Sequence, residues 1–546
     1  MGETQQDPLA ALDAAVARAA SALRPEGLGE SRHSLERPPR PEMGDYSSNA
    51  AMLLAGSLGE PPREVAERLV GRLGPELGEQ AERIEVAGPG FVNLHLSDAW
   101  FRAAIEAMAQ GAALPVGEGP GGEPMQVLVE FVSANPTGPL TAASGRHAAY
   151  GDSVARLLEA VGNAVRREYY VNDTGGQIER FGASVSAAMR GEDPPEDGYR
   201  GSYVSDLGAE LAAAGVDPGD AGAVRGAGVE RMLQGIRATL ARFGVSHDGW
   251  VSEASLFESG KVSSALRRLD QGGHTYESEG ALWLRTTEFG DDKDRVLIRA
   301  DGSPTYLAGD VAYHADKLER GFELLINVLG ADHHGYVARL RAAICALGGS
   351  ADSFEAQIMQ LVHIVDGSER AQMSKRRGEF VTLDELVDDI GADATRFFML
   401  QRSHDTTVDL DLDLARRQSS ENPVYYVQYA HARIASIMRK AESGGAGAED
   451  DGARTAPLEP AERLLVKRLL EFPGEVREAA GRRAPHRLCA YGMEVASDFH
   501  GFYRDCQVVG AGEPGVEASR LRLCLITRKT IARTLGLLGI SAPDRM

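Results

Sequence analysis

The chain has 546 residues, with 80 Asp and Glu against 58 Lys and Arg, a formal charge of −22. At 43% hydrophobic and 25% charged it carries enough apolar material for packed cores, which excludes global disorder. It also shows no apolar run near the roughly 18 residues that a membrane span needs.

Length predicts three or four domains at about 150 residues each. In the first block, residues 9–23 and 65–73 have apolar spacing of helical period. Residues 85–96 read as two short strands around the turn Gly88-Pro89-Gly90. A Gly/Pro/Glu-rich linker is expected at 117–124. The acidic start Met1–Asp7 lacks the basic n-region of a secretory signal.

The second block opens with Val127-Leu128-Val129-Glu130-Phe131, a short apolar run suited to a buried parallel strand. The turn Ser133–Pro139 follows, then a helix carrying Val154, Leu157, Leu158 and Val161, stopped by Gly162-Asn163. Strands are expected at 165–171, 324–329 and 357–365, the last two flanking a helix at 337–347. Strands alternating with helices predict a doubly wound parallel sheet, whose ligands sit beyond the carboxyl ends of the strands. Residues 175–295 interrupt the pattern as an insertion. From about 405 the pattern is helical, with a solvated loop at 443–459.

Net charge alone argues against a polyanionic partner. Its distribution qualifies that: 461–546 carries fourteen Lys and Arg against ten Asp and Glu, and 416–440 carries five cations against Glu421 alone. Cys345, Cys489, Cys506 and Cys524 form no Cys-x-x-Cys pair. The spacing offers neither a zinc clip nor a disulfide framework, and it fits a reduced cytoplasm.

Three segments carry candidate chemistry. The strand-to-helix turn from Glu130 to Ser144 places backbone N–H groups at a positive helix end, a natural phosphate site. It lacks the Gly-x-Gly-x-x-Gly of dinucleotide folds, which sets aside a nicotinamide oxidoreductase. Gln372-Met373-Ser374-Lys375-Arg376-Arg377-Gly378 is a basic loop able to neutralise phosphates; alone, it would read as a solvated charge run. Tyr306-Leu307-Ala308-Gly309-Asp310 and Asp332-His333-His334-Gly335 offer an aromatic with carboxylates, suited to a planar cation. The His pair without a second spaced ligand is ordinarily structural.

Together these segments resemble class I aminoacyl-tRNA synthetases, specifically the arginyl-tRNA synthetase family. The likeness rests on 129–138, Glu168-Tyr169-Tyr170-Val171-Asn172-Asp173, 330–336, Met373-Ser374-Lys375-Arg376, 391–397 and the stretch Leu538–Met546. It implies a Rossmann-type catalytic domain at 118–405 between an α/β tRNA-contacting domain at 1–117 and an all-α anticodon-binding bundle at 406–546. It also implies a two-step reaction: arginine and ATP give arginyl-adenylate and diphosphate, and the arginyl group then moves to the 3′ end of tRNA(Arg). The implied chain is a cytoplasmic monomer using ATP with substrate-bound Mg2+, without zinc or a membrane.

By position, Glu130, Asn135, Tyr306, Asp310 and His334 match the family's arginine-binding residues. Pro136, Thr137, Gly138, Pro139, Leu140, Ala142, Ala143, Met373 and Arg376 match ATP-binding positions. Ser374 and Lys375 match the catalytic loop, with Gln372 replacing that motif's first Lys. Tyr425, Tyr429, Arg433 and Met546 match tRNA-binding positions. Tyr425 and Tyr429, at i and i+4, equally suit core packing.

One departure is large. Where the family has His-x-Gly-His, this chain reads Thr141-Ala142-Ala143-Ser144, so Thr141 and Ser144 stand at catalytic positions with hydroxyls but no possible positive charge. Losing one preorganised donor costs on the order of 2.7–4 kcal/mol in barrier. Arg146 and His147 follow directly, but helical residues two or three places on are expected to point elsewhere. The expectation is a working enzyme whose phosphate contacts shift to backbone amides, hydroxyls and Arg or Lys. The alternative is a synthetase-like protein that binds tRNA or arginine without adenylation.

Overall fold

Val127, Leu128 and Val129 have no polar side chain to present to water, and all three are fully buried. The strand they form, Gln126–Glu130, lies at the centre of a five-stranded sheet in the computed structural model of the protein. The model describes residues 7–24, 33–111, 124–367, 369–370, 381–445, 454–512 and 515–546. The sheet runs Phe354–Met359, Leu324–Gly330, Gln126–Glu130, Ala164–Val171, Gly249–Ser252, every pair parallel. Strand order reverses between Gln126–Glu130 and Leu324–Gly330, and the crevice at such a reversal is where doubly wound sheets bind ligands. Helices Ala142–Ala160, Tyr306–Glu319 and Val337–Ala346 connect and cover these strands.

Sequence and structure part at two strands. Residues 357–365, read as one strand, form two: Phe354–Met359 stays in the main sheet, and Val362–Asp366 pairs with Val408–Asp411 in another. A continuous apolar run carries no mark of the bend at Gln360-Leu361. Within 175–295, helices and the small antiparallel sheet of Thr275–Ser278, Ala281–Leu284 and Arg295–Ile298 make up most of the chain. Gly249–Ser252 nevertheless belongs to the main sheet, as four residues too short to register as an apolar run.

Ahead of the main sheet, helices Pro8–Ser21, Pro62–Leu77 and Asp98–Ala109 accompany a four-stranded antiparallel sheet. Its hairpin of Ala81–Ala87 and Phe91–Leu96 turns at Gly88 and Gly90, both with positive φ. The expected linker at 117–124 lies almost wholly outside the described residues. After Val408–Asp411, the helices Pro423–Ser443, Pro460–Leu470, Phe472–Gly481, His486–Asp505 and Val516–Leu537 pack into a bundle.

Charged contacts join the parts. Lys467 donates to Asp45 at 2.9 Å, and Arg463 donates to Asp98 at 2.7 Å. Arg396, fully buried, donates to Asp152 at 2.6 Å, the Leu538 carbonyl at 2.9 Å and the Phe243 carbonyl at 3.2 Å. A side chain at Gly539 would meet that guanidinium at 2.2 Å. Among the described residues, no helix is long and apolar enough to cross a membrane.

Candidate active site at the strand-order reversal

After Glu130 the chain turns sharply, with Val132 at φ 69° and Ser133 at φ 41°. Left-handed backbone at a β-branched residue costs on the order of 1–3 kcal/mol and persists only where surroundings enforce it. Here Ser133 Oγ donates to Glu130 at 3.2 Å and accepts the Tyr170 amide at 3.0 Å. Tyr169 Oη binds the Ala134 carbonyl, and Tyr203 Oη binds the Thr137 carbonyl at 3.0 Å. Asn135 donates its amide to Gln177. Gly151 makes room for this turn, since a Cβ there would stand 2.3 Å from the Phe131 ring.

The helix Ala142–Ala160 begins at Thr141, whose Oγ1 accepts the Ser144 amide at 3.4 Å and lies 3.3 Å from Ser144 Oγ. The Ala142 amide goes to the Val381 carbonyl at 3.1 Å. Two first-turn amides and both hydroxyls are therefore already engaged, more than the sequence reading allowed. Arg146 does point elsewhere: fully buried, it donates to the carbonyls of Gln360, Ser403 and Thr406, each at 2.8 Å. His147 differs. Its half-buried ring comes within 3.9 Å of where a Cβ on Gly330 would stand. Burial first, then the neighbouring charge of Arg146, lowers its pKa to about 4 against the pull of Asp332.

Beside the turn lies an acid cluster. Glu130 receives Lys317 Nζ at 2.6 Å, a buried pair also held by Asn327 Oδ1 at 3.4 Å and the face of Tyr313 at 4.0 Å. Asp310 accepts a hydrogen bond from Tyr336 Oη. Burial, then Glu130 and Glu253, push the Asp310 carboxyl up to about 7, opposed by Tyr336 and Lys317. Glu253, 4% exposed, accepts Thr174 Oγ1 at 2.8 Å, and burial raises its pKa too. Gly309 lets the helix approach, because a Cβ there would lie 2.9 Å from Glu253 Oε1. Glu130 is thus bonded to the Lys317 ammonium, Asp310 feels its charge, and Glu253 adds a third acid beside Asp310. Removing charge of one sign from water is favourable only when a counter-charge completes it, so the cluster suits a cation with several donors.

Glu253 and Tyr306 line an adjoining cavity of about 610 Å³, with Thr174, Phe257 and Arg299. Tyr306, 61% exposed, starts the helix that carries Asp310 one turn later. Glu130 and Asp310 are not on the lining; they sit in the acid cluster beside it. Glu130 and Asp310, matched by position to arginine-binding residues, already have partners in Lys317 and Tyr336. It missed Glu253 and Lys317, although Glu253, like Glu130, stands at the carboxyl end of a parallel strand.

His334 is exposed in the turn Ala331–Tyr336 with His333. Among the described residues no three His, Cys, Asp or Glu are grouped to hold a metal ion. Pro136, Thr137 and Leu140 are buried, Gly138 and Pro139 half-buried, Ala142 buried and Ala143 exposed. Met373, Ser374, Lys375 and Arg376 lie outside the described residues. The flanking chain is anchored: Glu369–Arg370 pairs with Val362–Asp366, and Val381 to Leu383 bonds to Leu140 and Ala142.

In the helical bundle, Tyr425 and Tyr429 stack with centroids 6.0 Å apart and planes at 11°. Tyr429 is 37% exposed and Tyr425 half-buried, so neither is core. With Tyr426 and His500 they line a cavity of about 430 Å³. Arg433 donates to Tyr429 Oη at 2.9 Å and covers the Tyr503 ring at 4.5 Å. A second groove of about 530 Å³ joins Arg433, Arg439, Lys440 and Met546. Stacked aromatics beside cations suit unpaired bases.

Comparison with known proteins gives three matching family models: the arginyl-tRNA synthetase N-terminal domain at 10–96, the class I (R) tRNA synthetase catalytic domain at 231–435 and the DALR anticodon-binding domain at 427–546. The chain is 47% identical over 525 residues to an arginine–tRNA ligase of Frankia alni, covering 94% of each. It is similar to the Thermus thermophilus arginyl-tRNA synthetase structure with TM-score 0.75 and 27% identity, over 98% of this chain and 100% of that one. The Plasmodium falciparum arginyl-tRNA synthetase, 17% identical with TM-score 0.75 over the full length of both chains, shares the fold.

Proposed function

The chain belongs to the arginyl-tRNA synthetase family, and from that premise we propose how its residues perform the ligase reaction. It is an arginine–tRNA ligase with a class I catalytic domain, which uses ATP. The observation that carries the site reading is the acid cluster in which Glu130, bonded to Lys317, and Glu253 both act on the buried carboxyl of Asp310. The arginine guanidinium completes that charge: its rigid fork of five donors serves Asp310 and Glu253, while Glu130, held by Lys317, supplies the field behind them. Tyr306 closes over the side chain from the cavity mouth, Asn135 takes the α-amino or carboxylate group, and His334 edges the pocket. A lysine substrate would leave buried acceptors unpaired, a mismatch that gives about 10⁴–10⁵-fold rejection.

ATP lies along Pro136–Leu140 and the start of the Ala142–Ala160 helix, with Ala142 and Ala143 allowing close approach and Thr141 and Ser144 shaping the helix end. Met373, Ser374 and Arg376 are assigned to the phosphates by the family match, with Lys375 balancing charge as diphosphate leaves. Mg2+ arrives with ATP, since such ions bind mainly through substrate phosphates. Tyr425, Tyr429, Arg433 and Met546 take tRNA(Arg) bases. The compartment is taken as the cytoplasm, consistent with four free cysteines.

A second reading has one observation in its favour: the Thr141 and Ser144 hydroxyls bond to one another rather than standing free. It describes a tRNA- or arginine-binding protein without adenylation. Charging of tRNA(Arg) with radiolabelled arginine by the purified protein separates the two. Arginyl-tRNA formation supports the ligase; tRNA binding without charging supports the rival.

A further inference from the structure

The hydrogen-bonding groups that the signature leaves in place are largely used inside the protein. Thr141 and Ser144 are bonded to each other, the Ala142 amide is bonded to Val381, and Arg146 is buried among carbonyls. One group on that helix stands beside the end of a central strand instead. His147 follows Ser144 by three positions, the spacing that puts two residues on one face. Its ring sits against Gly330, the last residue of the Leu324–Gly330 strand. The Asp332 carboxylate lies at the same spot, its Oδ1 2.6 Å from where a Cβ on Gly330 would stand, and Asp332 and His333 are close enough to influence the ring's charge. This is the strand-order reversal, where a nucleotide binds in such sheets.

We propose that His147 contacts the bound ATP and takes over hydrogen bonding that the absent signature histidines would supply. The inference rests on the ligase reading above. At neutral pH the imidazole is uncharged, with one donor and one acceptor. His147 therefore serves as a neutral hydrogen-bonding group, and positive charge for the phosphates comes from elsewhere.

The test uses the full chain and its His147→Ala and His147→Gln variants. ATP with Mg2+ is titrated calorimetrically, and KM values for ATP and arginine are measured in tRNA charging. His147→Ala is expected to weaken ATP binding and raise the ATP KM by about tenfold, as for loss of a hydrogen bond to a charged ligand. The arginine KM should stay within about twofold, since His147 makes no contact with the acid cluster and additivity holds for separated sites. His147→Gln keeps a neutral donor and acceptor and should bind ATP more tightly than His147→Ala. It also stands in if the alanine variant fails to fold. Unchanged ATP affinity in a folded variant overturns the proposal, and so do equal losses for ATP and arginine. If the wild-type protein binds ATP but charges no tRNA, the ligase reading falls, while the binding comparison still decides His147.

Discussion

Thr141 and Thr382 face one another across an antiparallel bridge, and each caps a helix: Thr141 the Ala142–Ala160 helix, Thr382 the Leu383–Leu400 helix. Leu383 donates to the Leu140 carbonyl at 2.8 Å, which seals the junction. The chain leaving the basic loop is thereby tied to the start of the helix against which ATP is proposed to lie. Arg242 adds ion pairs from the Ala221–Arg242 helix to Asp384 and Asp388.

That anchoring leads to a prediction for Lys375. Lys375→Ala should lower kcat for charging by roughly 10²–10³, the usual loss for one donor aimed at developing charge. Arginine affinity, measured by equilibrium dialysis, should hardly change. An equal fall in both would place Lys375 in the arginine pocket instead.

Asp310 sets a pH dependence. Its folded pKa, about 7 against an ordinary 3.8, means that the folded protein holds the proton more tightly than an unfolded chain. The associated stability is full below about pH 4 and is lost as pH rises through 7. Arginine binding runs the other way, because the guanidinium needs the charged carboxylate. The arginine KM should therefore fall between pH 6 and 8. Asp310→Asn should raise it at every pH and flatten the profile, and Asp310→Ala should abolish arginine use with tRNA affinity nearly intact.

Lys317 is predicted to matter for stability. Lys317→Met strands Glu130 as an uncompensated buried charge, costing about 3–5 kcal/mol. Adding Glu130→Gln should recover part of that loss, seen in urea unfolding midpoints. A double variant no more stable than the single one would mean that the pair is not coupled.

Tyr429→Ala should remove about 1–3 kcal/mol of tRNA affinity, the range for one base–aromatic stack, while the arginine and ATP KM values stay put. Filter binding of tRNA(Arg) measures it. Unaltered binding would return Tyr429 to a purely structural role.

The central strands were legible because Val127-Leu128-Val129 and 324–329 admit little but burial, and the hairpin because Gly88-Pro89-Gly90 forces a turn. At the candidate site motif order picked out Glu130, Tyr306 and Asp310, and the fold puts Glu130 and Asp310 in one acid cluster with Tyr306 on the cavity beside it. It failed where a residue's meaning depends on distant chain. Lys317 reads as one more helical cation until the fold brings Glu130 to it, and Glu253 as a solvated acid until Gly249–Ser252 joins the sheet. The neighbour of His147 was not legible, because helical geometry gives direction along the helix but not what lies opposite; the ring reaches Gly330 on another strand.

The Lys317–Glu130 pair joins positions 187 residues apart. Closing so long a loop is entropically costly, and contacts of this separation form late and slow folding. Until Leu324–Gly330 zips onto Gln126–Glu130, the innermost strand has a naked edge and its terminal carboxylate no counter-ion. Refolding from denaturant is therefore expected to pass through a lingering, aggregation-prone intermediate whose last event is the docking of this strand and its lysine. Competence to recognise the substrate would emerge only at that final step, well after most helices have formed.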